Sequence, residues 1–283
     1  MRTSPPPPPT PPQPSGWTED HLVLGGRRVF YRRSPDVAGA TPVVHVHGFG
    51  ISGRYLMPTA RLLAERTSNV VPDLPGYGRS DDPEHTLGIP ALADALLRFL
   101  DGLGLERVVL LGNSMGCPIS LEVAHRASDR VEGVVLVSPA GGANNQPLAK
   151  ALQQMVVDAV RERPALARVA VPDYVRFGLF NSLNLLSELT RFPSLERLVT
   201  VPVPALAVVG SRDPLMPRPP RVREISRLAP SHATVVLIEG AAHAVNFSHP
   251  GELAHVVGSW LDGVPITDDP DQPGLTRVLQ LPS

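Results

Sequence analysis

Short, continuous runs of β-branched and aliphatic residues alternate along this chain with stretches of helical spacing. That alternation restricts the fold more than any other feature. Val43–Val46, Asn69–Val71, Val108–Leu111, Val134–Val137, Ala205–Val209 and Thr234–Ile238 read as strands. Most are apolar on successive residues rather than on every second one, which suits strands covered on both faces. Between them Arg54–Arg66, Ile89–Leu100, Met115–Ala127, Arg221–Leu228 and Gly251–Leu261 carry helical spacing. A hairpin, His21–Leu24 and Val29–Arg33 around Gly25-Gly26, is expected to precede the first of these strands. The expectation is an α/β fold: a mostly parallel, eight-stranded sheet flanked by helices.

The rhythm breaks once. Between Pro139 and Pro202 no strand is legible, only helical patterns over Leu148–Val160 and Tyr174–Leu189. The second places Phe177, Phe180, Leu183 and Leu186 on one side of a helix. A helical insertion between two core strands predicts a cap over the carboxyl edge of the sheet. The expected organisation is a core of residues 17–140 and 202–265, a helical cap of residues 141–201, and a C-terminal tail from 266 to 283. Pro5–Pro9, Pro11, Pro12 and Pro14 make residues 1–16 an extended, solvated tail, because consecutive prolines fix φ and lack amide donors.

Composition removes several classes of function. The 283 residues hold 26 Lys+Arg against 27 Asp+Glu, so no basic excess marks a nucleic-acid or anionic-membrane partner. No apolar run reaches the roughly 18–20 residues of a membrane span. The single cysteine, Cys117, excludes an internal disulfide and fits a reducing, cytoplasmic setting. Directly after Gly116 it reads as a packing residue. His45 and His47 alternate along one strand end with no third ligand nearby, so no metal is expected. No glycine-rich phosphate loop follows a strand, so no nucleotide or other cofactor is expected either. The anticipated partner is a small-molecule substrate.

Three loops at the expected carboxyl edge carry chemistry. Gly112-Asn113-Ser114-Met115-Gly116 stands where a strand passes into a helix. A serine on such a sharp turn has its hydroxyl pushed out of the sheet edge, and the flanking glycines let strand and helix cross closely. After the next-to-last core strand comes Gly210-Ser211-Arg212-Asp213-Pro214. After the last comes Glu239-Gly240-Ala241-Ala242-His243. Ser114 as nucleophile, His243 as base and Asp213 as its orienter meet the requirement that neutral imidazole take the hydroxyl proton while a carboxylate holds its tautomer. A developing oxyanion needs amide donors, and the backbone N–H groups of Phe49 and Met115 are placed to supply them. Phe49 lies in His47-Gly48-Phe49-Gly50, directly after a strand. His47 is read as a brace for that loop, and Asp73 in Asp73-Leu74-Pro75-Gly76 as an acceptor for loop amides.

On these motifs the chain resembles the α/β-hydrolase superfamily over roughly Gly16 to Leu261. The resemblance implies Ser114, Asp213 and His243 as the catalytic set and Phe49 and Met115 as the oxyanion hole. A serine at the elbow implies an acyl-enzyme from an ester, thioester or lactone, rather than the alkyl-enzyme of dehalogenases and epoxide hydrolases, which place aspartate there. The elbow also resembles that of meta-cleavage-product hydrolases, which split carbon–carbon bonds. Their pattern has a further glycine after the elbow and a tryptophan after the histidine. Cys117 and Ala244 stand in those places, so this activity ranks second. Arg176 or Arg191 would bind the carboxylate of such a substrate. A non-catalytic binding protein on the same fold is the third reading.

Overall fold

The structure is a computed structural model that describes residues 16–139, 148–178, 185, 189, 192–215 and 232–280. Nearly all of the proline-rich tail, the helix expected over Arg221–Leu228, and Phe180, Leu183, Leu186 and Arg191 lie outside the described residues.

One sheet organises the chain. Its strands are β1 (Thr18–Leu24), β2 (Arg27–Arg33), β3 (Val43–Val46), β4 (Asn69–Pro72), β5 (Val108–Asn113), β6 (Val131–Val137), β7 (Ala205–Gly210), β8 (Ala233–Ile238) and β9 (Thr276–Gln280). They lie in the order β1-β2-β4-β3-β5-β6-β7-β8-β9. From β4 to β8 every pairing is parallel, whereas β1, β2 and β9 pair antiparallel at the two ends. Among the described residues the strands therefore number nine, not the expected eight. The additional one, β9, comes from the stretch expected to be a C-terminal tail. Leading with Thr276 and Arg277 and ending with Gln280, it has the half-polar pattern of an edge strand and no continuous apolar run to reveal it.

Strands β3, β4, β5 and β7 are buried along their whole length because both faces are covered. Val44, Leu110, Val134 and Leu136 turn to one face, where α2 (Ile89–Gly102) and α3 (Gly116–Arg126) pack. Val43, Val109, Leu111, Val135 and Val137 turn to the other, against α8 (Pro250–Leu261) and Leu63 of α1 (Met57–Leu63). Adjacent residues of one strand thus feed two separate cores, as the two-residue period of a strand requires. Helix α2 meets its core through Ile89, Leu92, Ala93, Leu96, Phe99 and Leu100, at spacings of three and four.

Between β6 and β7 lie α4 (Leu148–Arg161), α5 (Pro164–Phe177) and α6 (Ser194–Val199). The helix expected over Tyr174–Leu189 lies largely outside the described residues, and its first turn, Tyr174–Phe177, belongs to α5, which starts at Pro164 and ends before Gly178 at φ 83°. A left-handed glycine is a common helix stop. Helix α5 sits on the loops of the carboxyl edge: Asp173 accepts from the Ser52 amide and hydroxyl, and Arg176 donates to the carbonyls of Gly78 and Ser80. Helix α6 is tied to α3 by Arg197 on Glu122, 3.0 Å. Last in the chain, α7 (Val245–Ser248) precedes α8. No helix among the described residues is long and apolar enough to cross a membrane.

Candidate active site

Parallel register decides which loops can meet. Val46 is level with Gly112, Asn113 with Val137, Val137 with Val208, and Gly210 with Ile238. The loops after β3, β5, β7 and β8 therefore leave the sheet at one edge. They carry Phe49, Ser114, Asp213 and His243 respectively.

The elbow is sterically determined. A Cβ on Gly116 would collide with the Val46 carbonyl, and one on Gly112 with the Gly116 carbonyl. The turn leaves Ser114 at φ 55°, a left-handed conformation rare for a residue with a side chain. Ser114 is partly exposed in an otherwise buried motif. Its neighbour Cys117 is buried with its Sγ on the carbonyls of Gly112 and Val137 at 3.2 and 3.4 Å. Burial pushes that thiol well up, which leaves it as an inert packing group.

Asp213 and His243 are in direct contact. The Nδ1–H of His243 donates to Asp213 Oδ2 at 2.8 Å, and the other carboxylate oxygen accepts the Leu215 amide at 2.8 Å. In the neutral ring this leaves the lone pair on His243 Nε2, which is buried and without a partner among the described residues. Burial alone would lower the imidazole pKa. The Asp213 charge and hydrogen bond outweigh burial, with Asp158 and Glu162 adding to them, and together they push it up to about 9.

The loop after β3 is held from both sides. His47 Nδ1–H donates to the Gly48 carbonyl at 2.9 Å, and its Nε2 accepts the Leu74 amide at 2.9 Å. Burial lowers its pKa, so it stays neutral and braces the loop. Beneath it Asp73, fully buried, accepts from the Arg32 guanidinium and from the amides of Gly53 and Arg79. Neither the Phe49 nor the Met115 amide is taken up by a hydrogen bond to another described residue.

Two residues not singled out in the sequence join these loops. The Tyr55 hydroxyl accepts the Gly48 amide at 2.9 Å and donates to Asn113 Oδ1 at 2.5 Å. The amide of Asn113 donates in turn to the carbonyls of Val137 and His243, at 3.0 and 3.3 Å. One polar relay therefore links the loop after β3, the elbow and the His243 loop. Asn113 offered a signal, as the one polar side chain of β5; Tyr55 offered none. Above the relay Phe49, Tyr174 and Phe177 form aromatic contacts, and Tyr77 stacks on Phe177 at 4.8 Å.

A model of the alpha/beta hydrolase family matches residues 43–256. The putative carbamate hydrolase RutD of Rhizobium rhizogenes is 30% identical over 247 residues, covering 78% of this chain and 93% of its own length. The biotin biosynthesis bifunctional protein BioHC of Cellvibrio japonicus is 29% identical over 242 residues, with 76% and 46% covered. Protein Rv2715 of Mycobacterium tuberculosis is 32% identical over 112 residues, 39% of this chain and 33% of its own. The chain thus spans about a third to a half of the length of these last two relatives. Among solved structures, a membrane phospholipase A superposes with TM-score 0.76 at 22% identity, covering 88% of this chain and 86% of that one. The haloalkane dehalogenase DbeA from Bradyrhizobium elkani follows with TM-score 0.72 at 21% identity, covering 87% and 98%. At such identities the likeness is one of fold, and a fold hosts many reactions. The matched span holds the elbow and both loops that bear the Asp213–His243 pair, and the chain belongs to the alpha/beta hydrolase family.

Proposed function

We propose that this chain is a serine hydrolase that acts through an acyl-enzyme on a small carboxylic ester, thioester or lactone with a hydrophobic portion. The observation that carries the reading is the Asp213–His243 hydrogen bond, which leaves Nε2 as acceptor at the edge where a left-handed turn presents the Ser114 hydroxyl. Ser114 Oγ attacks the substrate carbonyl while His243 Nε2 takes its proton. The amides of Phe49 and Met115 donate to the oxyanion. The imidazolium returns the proton to the leaving group, and water, activated by the same imidazole, releases the acid and regenerates Ser114. Neither step requires a metal or cofactor. The aromatic contacts of Phe49, Tyr174 and Phe177 support an apolar substrate portion beside the oxyanion loop.

Carbon–carbon hydrolysis of an anionic diketo acid is the weaker reading. Arg176, the described candidate for the substrate carboxylate, is already spent on the carbonyls of Gly78 and Ser80 and lies 3.8 Å from Asp82. The carbamate named for the Rhizobium relative presents a similar carbonyl and belongs in the substrate panel.

Ser114→Ala is the test. It should abolish turnover of p-nitrophenyl esters, and His243→Ala should do the same, each costing about 10⁴-fold or more in kcat because the members act as a unit. Fluorophosphonate should label wild type and not Ser114→Ala. Near-native ester turnover by Ser114→Ala protein would overturn the assignment.

A further inference from the structure

The last turn of α4 and the residue after it touch both loops on which the proposed acid and base stand. Asp158 Oδ1 accepts the amide of His243 at 3.3 Å, and Glu162 Oε1 accepts the amide of Ala244 at 2.5 Å. Between them in sequence, the Arg161 guanidinium donates to the carbonyl of Arg212, the residue before Asp213, at 2.8 Å. Helix energetics do not account for the two acids. Carboxylates at a helix C-terminus face its negative pole and are disfavoured there. Solvation does not account for Glu162 either, since its Oε2 is buried with no partner among the described residues.

We propose, resting on the serine-hydrolase reading above, that Asp158, Arg161 and Glu162 form a clamp of positioning residues. They tie the His243 loop to the Asp213 loop, so that seating α4 on the core and aligning the imidazole on its carboxylate are one event. The two carboxylates also act on the imidazole through space. The groups facing them are Asp213 after β7, His243 after β8, Tyr174 on α5, Tyr55 after β3 and Arg161 on α4 itself. Three carboxylates thus surround one imidazole, and each negative charge favours its protonated form. Burial pushes the Glu162 carboxyl up to about 7, even though the Ala244 amide favours its charged form, and raises that of Asp158 as well. The imidazole and the pair therefore titrate as a coupled set.

The clamp makes two separable demands on Glu162, an oxygen for the Ala244 amide and a negative charge near His243. Glu162→Ala removes both, whereas Glu162→Gln keeps an acceptor and removes the charge. With a p-nitrophenyl ester, Glu162→Ala should lose about 10- to 100-fold in kcat with KM changed much less, the size of effect expected when a reacting group is slightly misplaced. Glu162→Gln should recover most of that loss. In Glu162→Gln, and further in Asp158→Asn/Glu162→Gln, the acid limb of the kcat profile should move to lower pH. The His243 titration followed by nitrogen-15 NMR should move the same way, by about half a pH unit or more. A purely structural contact would change melting temperature without moving that titration. Should Glu162→Ala not fold, the two charge-removing variants still decide through the imidazole titration. A titration superposable on wild type in both, or wild-type kcat in folded Glu162→Ala, overturns the clamp. Ester turnover that survives Ser114→Ala sinks the hydrolase reading instead, and the NMR readout is independent of it.

Discussion

The Tyr55 hydroxyl is a small group with two tertiary tasks, and its removal isolates what a polar relay contributes. Tyr55→Phe leaves the Gly48 amide and the Asn113 side-chain oxygen without their partner in a buried setting. Each unsatisfied group costs about 1–3 kcal/mol, so the variant should be less stable by about 2 kcal/mol or more in denaturant unfolding. It should also lose kcat, because the loop bearing Phe49 is no longer held to the elbow. Unchanged stability would mean that water replaces the hydroxyl. At the same scale the pH dependence has a definite sign. The folded imidazole of His243 lies above its ordinary 6.5, toward about 9, and in the proposed mechanism only its neutral form accepts the Ser114 proton. Activity should therefore fall with acid, with a midpoint in kcat/KM above 6.5; a midpoint at or below that value would contradict the electrostatics. Ser114, Asp213 and His243 were legible in the sequence because each follows a strand in a turn punctuated by glycine or proline. Tyr55, Asp158 and Glu162 were not, since their contacts with Asn113, His243 and Ala244 reach across 58, 85 and 82 residues of chain, which leaves no local pattern.

Elements were legible in proportion to how completely they are buried. The strands β3 and β5 to β8 announce themselves as apolar runs because helices cover both sheet faces. Strand β9 pairs with β8 on one side only and carries no such run. Of the inserted helices, α4 matches the expected Leu148–Val160 to within one residue, whereas the start of α5 at Pro164 is not legible in the sequence. Helices α4 and α5 bury few residues and expose valines, with Val160 83% and Val175 77% exposed, so apolar spacing does not mark their inner face. Their docking combines the apolar contacts of Met155, Leu166 and Phe177 with polar ones from Asp158, Glu162, Asp173 and Arg176. Core and insertion should therefore respond unlike each other to truncation. Leu110→Ala, in a fully buried strand, should destabilise the protein by about 2–5 kcal/mol. Val160→Ala should change stability by less than about 0.5 kcal/mol. A cost for Val160→Ala comparable to that of Leu110→Ala would show that α4 is covered by a surface of its own.

At the scale of the whole molecule, the proposed function has substrate reach Ser114 between a sheet edge made of loops and an inserted layer of helices. The aromatic side chains at that seam come from three separate places: Phe49 after β3, Tyr77 after β4, and Tyr174 and Phe177 on α5. Phe49 belongs to the loop proposed to bind the oxyanion, so an acyl group placed there would have this apolar wall beside it. Each methylene withdrawn from water contributes about 0.8 kcal/mol, or about fourfold in an equilibrium or in kcat/KM. Along a series of p-nitrophenyl acetate, butyrate and hexanoate, kcat/KM should rise by about tenfold per step, the full value being reduced where packing is incomplete. Phe177→Ala removes the stacked partner of Tyr77 and one neighbour of Phe49, and should flatten the series while leaving acetate turnover least affected. A series led by acetate in wild type would show that the acyl group does not lie against these rings. Loss of all three activities in equal proportion in Phe177→Ala would assign the ring to holding α5 on the core, with no part in selecting the substrate.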